Sequence, residues 1–94
     1  MIFKHFATMP SELQLEMLSC WDGQPEAVLK VKDIKGGISN PSKSTYHTHL
    51  KKLVDLGLLT VSQRWYSLTR RGQWYIEALK MAESYMEEKF NEVT

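Results

Sequence analysis

The hydrophobic pattern of the chain is most regular between residues 42 and 59. Tyr46, Leu50, Leu53 and Leu56, with His49 beside them, recur at steps of three and four residues, which places them on one face of an α-helix. The opposite face carries Ser44, His47, Thr48, Lys51 and Asp55. The pattern predicts a helix with one buried side and one polar, basic side. Gly57 is expected to end it, because glycine adopts positive φ at little cost. The same pattern also fits an ordinary amphipathic core helix.

Two short runs rich in β-forming residues follow, at 58–62 and 65–68, separated by Gln63 and Arg64. A two-residue loop would pair Ser62 with Trp65 and Leu59 with Leu68. One face then carries Leu59, Val61, Tyr66 and Leu68, and the other carries Thr60, Ser62, Trp65 and Ser67. Trp65 is the large apolar residue on the polar face. It is expected either to cover a neighbouring hydrophobic side chain or to lie with Arg64 against a sugar-phosphate backbone.

The chain before this region predicts two further helices. The first should start near Pro10 and run to Cys20 or Trp21, burying Leu13, Met17, Leu18 and Trp21. The second spans 30–36, with Val31 and Ile34 inward and Lys32 and Lys35 outward. Gly36-Gly37 is expected to form the turn after it, with Ile38 as a buried anchor, and Ser42 or Ser44 to cap the third helix.

From Arg70 to about Phe90 the chain predicts one long helix, with Thr69 as its N-cap. It carries two apolar stripes, and a small domain can cover only one of them along its full length. A second copy in a two-fold dimer is the simplest partner. The predicted interface residues are Tyr75, Leu79, Ala82, Met86 and Phe90. The alternative is a monomer in which residues 1–9, with Ile2, Phe3 and Phe6, cover the second stripe.

The order of these elements resembles the winged helix-turn-helix DNA-binding domain, most closely the small MarR-, ArsR- and PadR-type regulators. The residues that carry the resemblance are L50-x-x-L53-x-x-x-G57-L58-L59 and Y66-S67-L68-T69-R70-R71-G72. It implies a mainly α fold with a small β-hairpin wing, in which 27–29 adds a third strand, and a long C-terminal dimerisation helix. Residues 1–9 would be an N-terminal packing segment, 10–71 the DNA-binding domain and 72–94 the dimerisation helix.

Charge is unevenly distributed along the 94 residues, although the net charge is only +1. Residues 30–71 hold nine basic and two acidic side chains, whereas 72–94 hold two lysines and five glutamates. A basic centre with an acidic tail suits a chain whose centre meets a polyanion. A chance fluctuation of surface charge is the alternative. The excess of basic residues coincides with the predicted helix-turn-helix, which favours a polyanionic partner over chance.

Catalytic and metal-binding chemistry has little support in the sequence. Three histidines and one cysteine match no recognised catalytic spacing, and no phosphate-binding glycine loop is present. His47 and His49 lie two residues apart on a helix, so they face different sides; His49 is expected to pack and His47 to contact DNA or act as a pH switch. We expect no enzyme activity, cofactor or metal. The lone Cys20 is expected to be a buried thiol, or else to form an intersubunit disulfide. No signal peptide or membrane span is apparent, so a cytoplasmic, nucleoid-associated location is expected.

These observations predict a homodimeric, sequence-specific regulator of transcription that binds double-stranded DNA. Base contacts are predicted for Ser44, His47, Thr48 and Lys51, and the wing is formed by Gln63, Arg64 and Trp65. Phosphate contacts are predicted for Lys32, Lys35, Lys43, Lys52, Arg64, Arg70 and Arg71. The alternatives are an architectural DNA-binding protein with little sequence preference and a winged-helix module that binds proteins. The sequence does not indicate an operator or a small-molecule effector.

Overall fold

The computed structural model describes residues 2–7, 10–36 and 43–93, with the side chains of 43–45 left out. After a 3-10 turn at Lys4–Phe6, the helices are α1 (Glu12–Ser19), α2 (Val31–Lys35), α3 (Lys43–Asp55) and α4 (Arg70–Val93). The strands are β1 (Val28–Leu29), β2 (Leu59–Ser62) and β3 (Trp65–Leu68), which form one antiparallel sheet in the order β1-β3-β2. The protein is therefore mainly helical, with a small three-stranded sheet and a long C-terminal helix.

The start of α1 links the first helix to the third. The Ser11 hydroxyl accepts a hydrogen bond from the Gln14 backbone N–H, and the Gln14 side-chain carbonyl accepts one from Ser11 N–H, a capping box that satisfies two helix-end amides. Gln14 is also buried, and its Nε2 lies 2.8 Å from His49 Nδ1 on α3. His49 is thus half-buried, as predicted, and it is additionally held by a polar contact between the two helices.

The hydrophobic core lies where α1, α2 and α3 meet the base of the sheet. Tyr46, Leu50 and Leu53 of α3 are at most 3% exposed, so the apolar face predicted from the spacing is confirmed. Trp21 closes one side of this core and donates from Nε1 to the Ala27 carbonyl at 2.9 Å. The other fully or largely buried apolar residues are Met17, Leu18, Ile34, Leu58, Leu59, Leu68 and Tyr75.

Helix α3 ends in a Schellman motif. Gly57 has φ +77°, its N–H donates to Val54 O at 2.9 Å, and Leu58 N–H donates to Leu53 O at 3.1 Å. These two bonds satisfy carbonyls that the last helical turn would otherwise leave unpaired. The predicted glycine stop is therefore confirmed. At the other end of the helix, the predicted Ile38 anchor and Ser42 cap lie outside the described residues, as does Gly37.

The hairpin has the predicted register, with Leu59 opposite Leu68 and Ser62 opposite Trp65. Gln63 and Arg64 form its loop at φ 50° and 71°, the sign pattern of a type I′ turn, whose twist matches that of paired strands. Val61, predicted on the inward face, is instead 43% exposed. Leu59 and Leu68 are buried at the base of the hairpin, whereas Val61 lies two residues closer to the loop, opposite the half-buried Tyr66.

A compact junction joins α3, the sheet and α4. Thr69 is the N-cap of α4: its Oγ1 accepts from Gly72 N–H at 2.9 Å and donates to Gly57 O at 2.6 Å. Gly72 is buried so tightly that a Cβ there would lie 2.2 Å from Leu58 O. The predicted Thr69 cap is confirmed, and the junction holds the end of α3 against the start of α4.

Only the first part of α4 belongs to the core. Tyr75 is 8% exposed and its ring centroid lies 5.1 Å from that of Phe6, whereas every residue from Lys80 to Val93 is exposed. Tyr75, assigned from the sequence to a dimer interface, is therefore covered by its own chain, and Leu79 is half-buried beside it. Ile2 and Phe3 remain 88% and 64% exposed. Within the described residues, no helix combines the length and hydrophobicity that crossing a bilayer requires.

Cys20 lies at the end of α1 and is half-buried. Its Sγ lies 3.7 Å from the Ile34 carbonyl oxygen, and burial raises the pKa of the thiol above its ordinary value. A raised pKa lowers the thiolate fraction at neutral pH, and the thiolate is the reactive form. We therefore expect a thiol reagent to label the native protein more slowly than the unfolded chain. Rapid native labelling, or a disulfide-linked dimer on a non-reducing gel, would contradict this expectation.

Candidate nucleic-acid interface

An open groove of about 780 Å³ runs between the start of α2, the exposed side of α3 and the hairpin. Its basic residues are Lys30, Lys32 and Arg64, and none of its lining residues is acidic. The complete lining is Lys30, Val31, Lys32, His47, Val61, Gln63, Arg64, Trp65 and Tyr66. The basic side chains repel one another, and an anion bound between them would offset that repulsion. The groove is therefore suited to an anionic partner.

Trp65 forms part of the groove wall and pairs with a lysine. The Lys30 Nζ lies 4.6 Å from the centre of the Trp65 ring, and the tryptophan is 41% exposed. This distance is within the range of a cation–π interaction. Trp65 therefore holds a basic side chain at the groove, with Arg64 as its neighbour at the hairpin tip.

Lys30 was not among the predicted contact residues. Strand β1 pairs with β3 so that Leu29 lies opposite Tyr66, and one further step along both strands places Lys30 beside Trp65. The third strand was expected, but its register was not worked out from the sequence. Working out that register from the sequence would have placed Lys30 beside Trp65 and so identified it as a candidate contact residue.

The polar face of α3 borders the same groove. His47 lines it directly, and Thr48, Lys51 and Lys52 are exposed on the same helix. The structure thus brings His47 together with Lys32, Gln63, Arg64 and Trp65, all of them predicted site residues. The side chains of Lys43 and Ser44 lie outside the described part of the structure.

Four predicted phosphate contacts do not line the groove, among them Lys52, which is exposed on α3. Lys35 is half-buried, with Nζ 5.0 Å from the centre of the Tyr46 ring, so it forms a cation–π contact between α2 and α3. Arg71 lines depressions next to His5 and Tyr75 that share no residue with the groove. Arg70 is exposed at the first residue of α4, outside the groove lining. A phosphate in the groove would therefore meet Lys30, Lys32 and Arg64 first.

The described residues do not bring together three or more histidine, cysteine, aspartate or glutamate side chains in a position to hold a metal ion. His49, the histidine closest to the core, contacts Gln14 instead. The chemical character of the interface therefore rests on its basic side chains, its aromatic wall and the polar face of α3. No protein-family model matches the sequence, and neither a curated protein nor a solved structure gives a match to it.

Proposed function

We propose that this protein is a winged helix-turn-helix regulator of transcription that binds double-stranded DNA as a homodimer. The observation that carries the proposal is the position of the exposed, polar face of α3 beside a basic groove whose lining has no acidic residue. In this reading α2 and α3 form the helix-turn-helix, and β2 and β3 form the wing. The buried face of α3 fixes the orientation of its outer face relative to the groove.

The major groove of B-DNA is about 12 Å wide and admits one α-helix. With α3 in the DNA major groove, base edges would be contacted by His47, Thr48 and Lys51, and by Ser44 at the start of the helix. Lys30 and Lys32 on one side and Arg64 at the hairpin tip would meet phosphates. Lys52 and Arg70 are exposed outside the protein's basic groove, and they would contact the DNA phosphate backbone further along the duplex.

Helix α4 supplies the surface for the proposed dimer. Met86 and Phe90 are 47% and 63% exposed and continue, beyond the end of the domain, the side of α4 that packs on the core. The second apolar stripe adds Met81 and Tyr85, which are 74% and 59% exposed. Apolar side chains in such numbers on one helix favour burial against a second copy.

Met86→Lys is expected to shift the dimer toward monomer, because it places a charge in the proposed interface without touching the core. Sedimentation velocity at micromolar concentration measures this shift. Ser84→Lys is the matched control, since Ser84 lies on the other side of α4 from this stripe by helical spacing and is equally outside the core. An identical mass for the native protein and both variants would contradict an interface at Met86.

Selection of bound duplexes from a random pool at moderate salt tests the proposed function. A regulator predicts a preferred sequence with two half-sites about 10 base pairs apart, or a multiple of that. Binding without a preferred sequence would instead identify an architectural DNA-binding protein. If the protein retained no duplex at low salt, DNA binding would be contradicted, and a winged-helix module that binds proteins would be the remaining alternative.

A further inference from the structure

The basic groove carries aromatic and apolar side chains that contact with duplex phosphates does not require. Trp65 and Tyr66 line it from β3, and His47 lines it from α3. Val61 lies opposite Tyr66 on β2 and is 43% exposed. In a duplex the flat faces of the bases are stacked on one another, and only the base edges reach a protein. The rings in this groove therefore suit a ligand whose base faces are uncovered.

Trp65 offers the largest of these rings. It pairs with Ser62 of β2, whereas β1 ends at Leu29, opposite Tyr66, so Trp65 lies one residue beyond the three-stranded part of the sheet. The Lys30 ammonium lies 4.6 Å from the ring centre, and the tryptophan is nevertheless 41% exposed. A nucleotide carries a flat base and a phosphate side by side. The Trp65–Lys30 pair matches both groups, with a ring for the base and a cation for the phosphate.

Charge and size fit a short stretch of one strand. Lys30, Lys32 and Arg64 supply three positive charges, and the lining has no acidic residue. The volume of about 780 Å³ is within the usual range of sites for small organic molecules, so a base with its sugar and phosphate fits inside. Single-strand binding sites combine the same two features, a positively charged groove for the backbone and aromatic side chains on which bases stack.

We propose that the basic groove also binds single-stranded DNA, with an unpaired base stacked on Trp65 and the adjoining phosphates held by Lys30, Lys32 and Arg64. The choice of DNA over RNA rests on the proposed function. The fit to an unpaired strand rests on the rings and charges of the groove itself. Because the same three cations would hold duplex phosphates, a duplex and a single strand would compete for the groove.

Fluorescence anisotropy titration of the whole 94-residue chain with two labelled oligomers tests the proposal. The first is an oligothymidylate of about 12 nucleotides, a typical length for a single-strand site. The second has the same length but only abasic sugars, so it keeps the phosphate charge and lacks the bases. We expect the oligothymidylate to bind about tenfold more tightly, because base stacking adds to the phosphate contacts. Equal Kd values would show that the groove binds phosphates alone and would overturn the proposal.

Trp65→Leu locates the stacking, because it keeps an apolar side chain and removes the ring. It should reduce the preference for oligothymidylate over the abasic oligomer about fivefold or more. Phe3→Leu removes an exposed ring on the N-terminal turn, outside the groove lining, and should leave that preference unchanged. If Trp65→Leu weakened binding of both oligomers equally, the ring would act only by placing Lys30, and stacking on Trp65 would be overturned.

A variant carrying Lys30→Glu and Lys32→Glu tests whether the strand lies in the groove. It should bind oligothymidylate about tenfold more weakly at low salt, and an unchanged Kd would overturn the proposal. An oligouridylate of the same length tests the sugar, and binding about tenfold tighter than that of oligothymidylate would overturn the assignment to DNA.

Titration of a duplex under the same conditions separates this inference from the proposed function. A protein that binds the duplex but not oligothymidylate would overturn the single-strand inference and leave the proposed function standing. A protein that binds oligothymidylate but not the duplex would support the inference and contradict the proposed function.

Discussion

Replacing Gly72 with alanine is expected to lower the free energy of unfolding by about 3 kcal/mol or more. A Cβ at this position would lie 2.2 Å from the Leu58 carbonyl oxygen and 2.9 Å from Leu68 Cδ1. The first contact is with backbone, which cannot rotate away, so α4 or the start of the sheet must move. Because Gly72 N–H also donates a hydrogen bond to Thr69 Oγ1, that movement would disrupt the N-cap of α4. Chemical denaturation followed by circular dichroism measures the loss.

Gly36→Ala is the matched control for this prediction. Gly36 has φ −63° at the end of α2, and a Cβ there would lie 3.5 Å from the nearest atom, the Asp33 carbonyl oxygen. Alanine adopts this backbone without strain, so the change should be neutral or stabilise the fold by up to about 1 kcal/mol. Equal stability of the two variants would show that Gly72 is not closely packed against Leu58.

Replacing His47 with alanine is expected to weaken binding to the best duplex by roughly 1–3 kcal/mol and binding to random DNA by less. His47 lines the groove early in α3, where a side chain can reach base edges. Arg64→Ala should behave differently, since the hairpin tip would meet phosphate. It should weaken binding to all duplexes alike and reduce the salt slope by about one.

Competition between matched and scrambled duplexes at two salt concentrations separates these effects. Alanine has the same Cβ as arginine, so Arg64→Ala leaves the backbone strain at φ 71° unchanged and changes only the side chain beyond it. A uniform loss for His47→Ala would show that α3 does not read sequence at this position. If Arg64→Ala instead reduced the discrimination between matched and scrambled duplexes, the hairpin would be the element that recognises the DNA sequence.

The local structure of this chain was predictable where one residue type satisfies one backbone requirement. Gly57 ends α3 and Thr69 caps α4 because glycine tolerates positive φ and a threonine oxygen accepts a helix-end N–H. The hairpin register followed from alternation, since a slip by one residue would turn the buried Leu59 and Leu68 outward. These features depend on residues close together in the sequence.

Contacts between distant residues were harder to predict. The Gln14–His49 bond joins positions 35 apart, and a glutamine inside a helix gives no sign of which histidine it will meet. The charge of Lys35 is visible in the sequence and predicts a phosphate contact, whereas the contact of Lys35 with Tyr46 is not visible there. Burial of Tyr75 likewise depends on Phe6 crossing to α4, which spacing within α4 cannot reveal.

The most direct test of the central claim is fluorescence anisotropy titration of a duplex with the native protein and a variant carrying Lys30→Glu and Lys32→Glu, over a range of salt concentrations. The basic groove predicts that affinity falls steeply with salt for the native protein. It also predicts that the double variant, with both lysines in the groove lining reversed, loses about tenfold or more at low salt. Lys4→Glu, which reverses one charge on the N-terminal turn, outside the groove lining and away from the proposed dimer surface, should change affinity little. Equal affinities for the native protein and the double variant would contradict DNA binding through this groove.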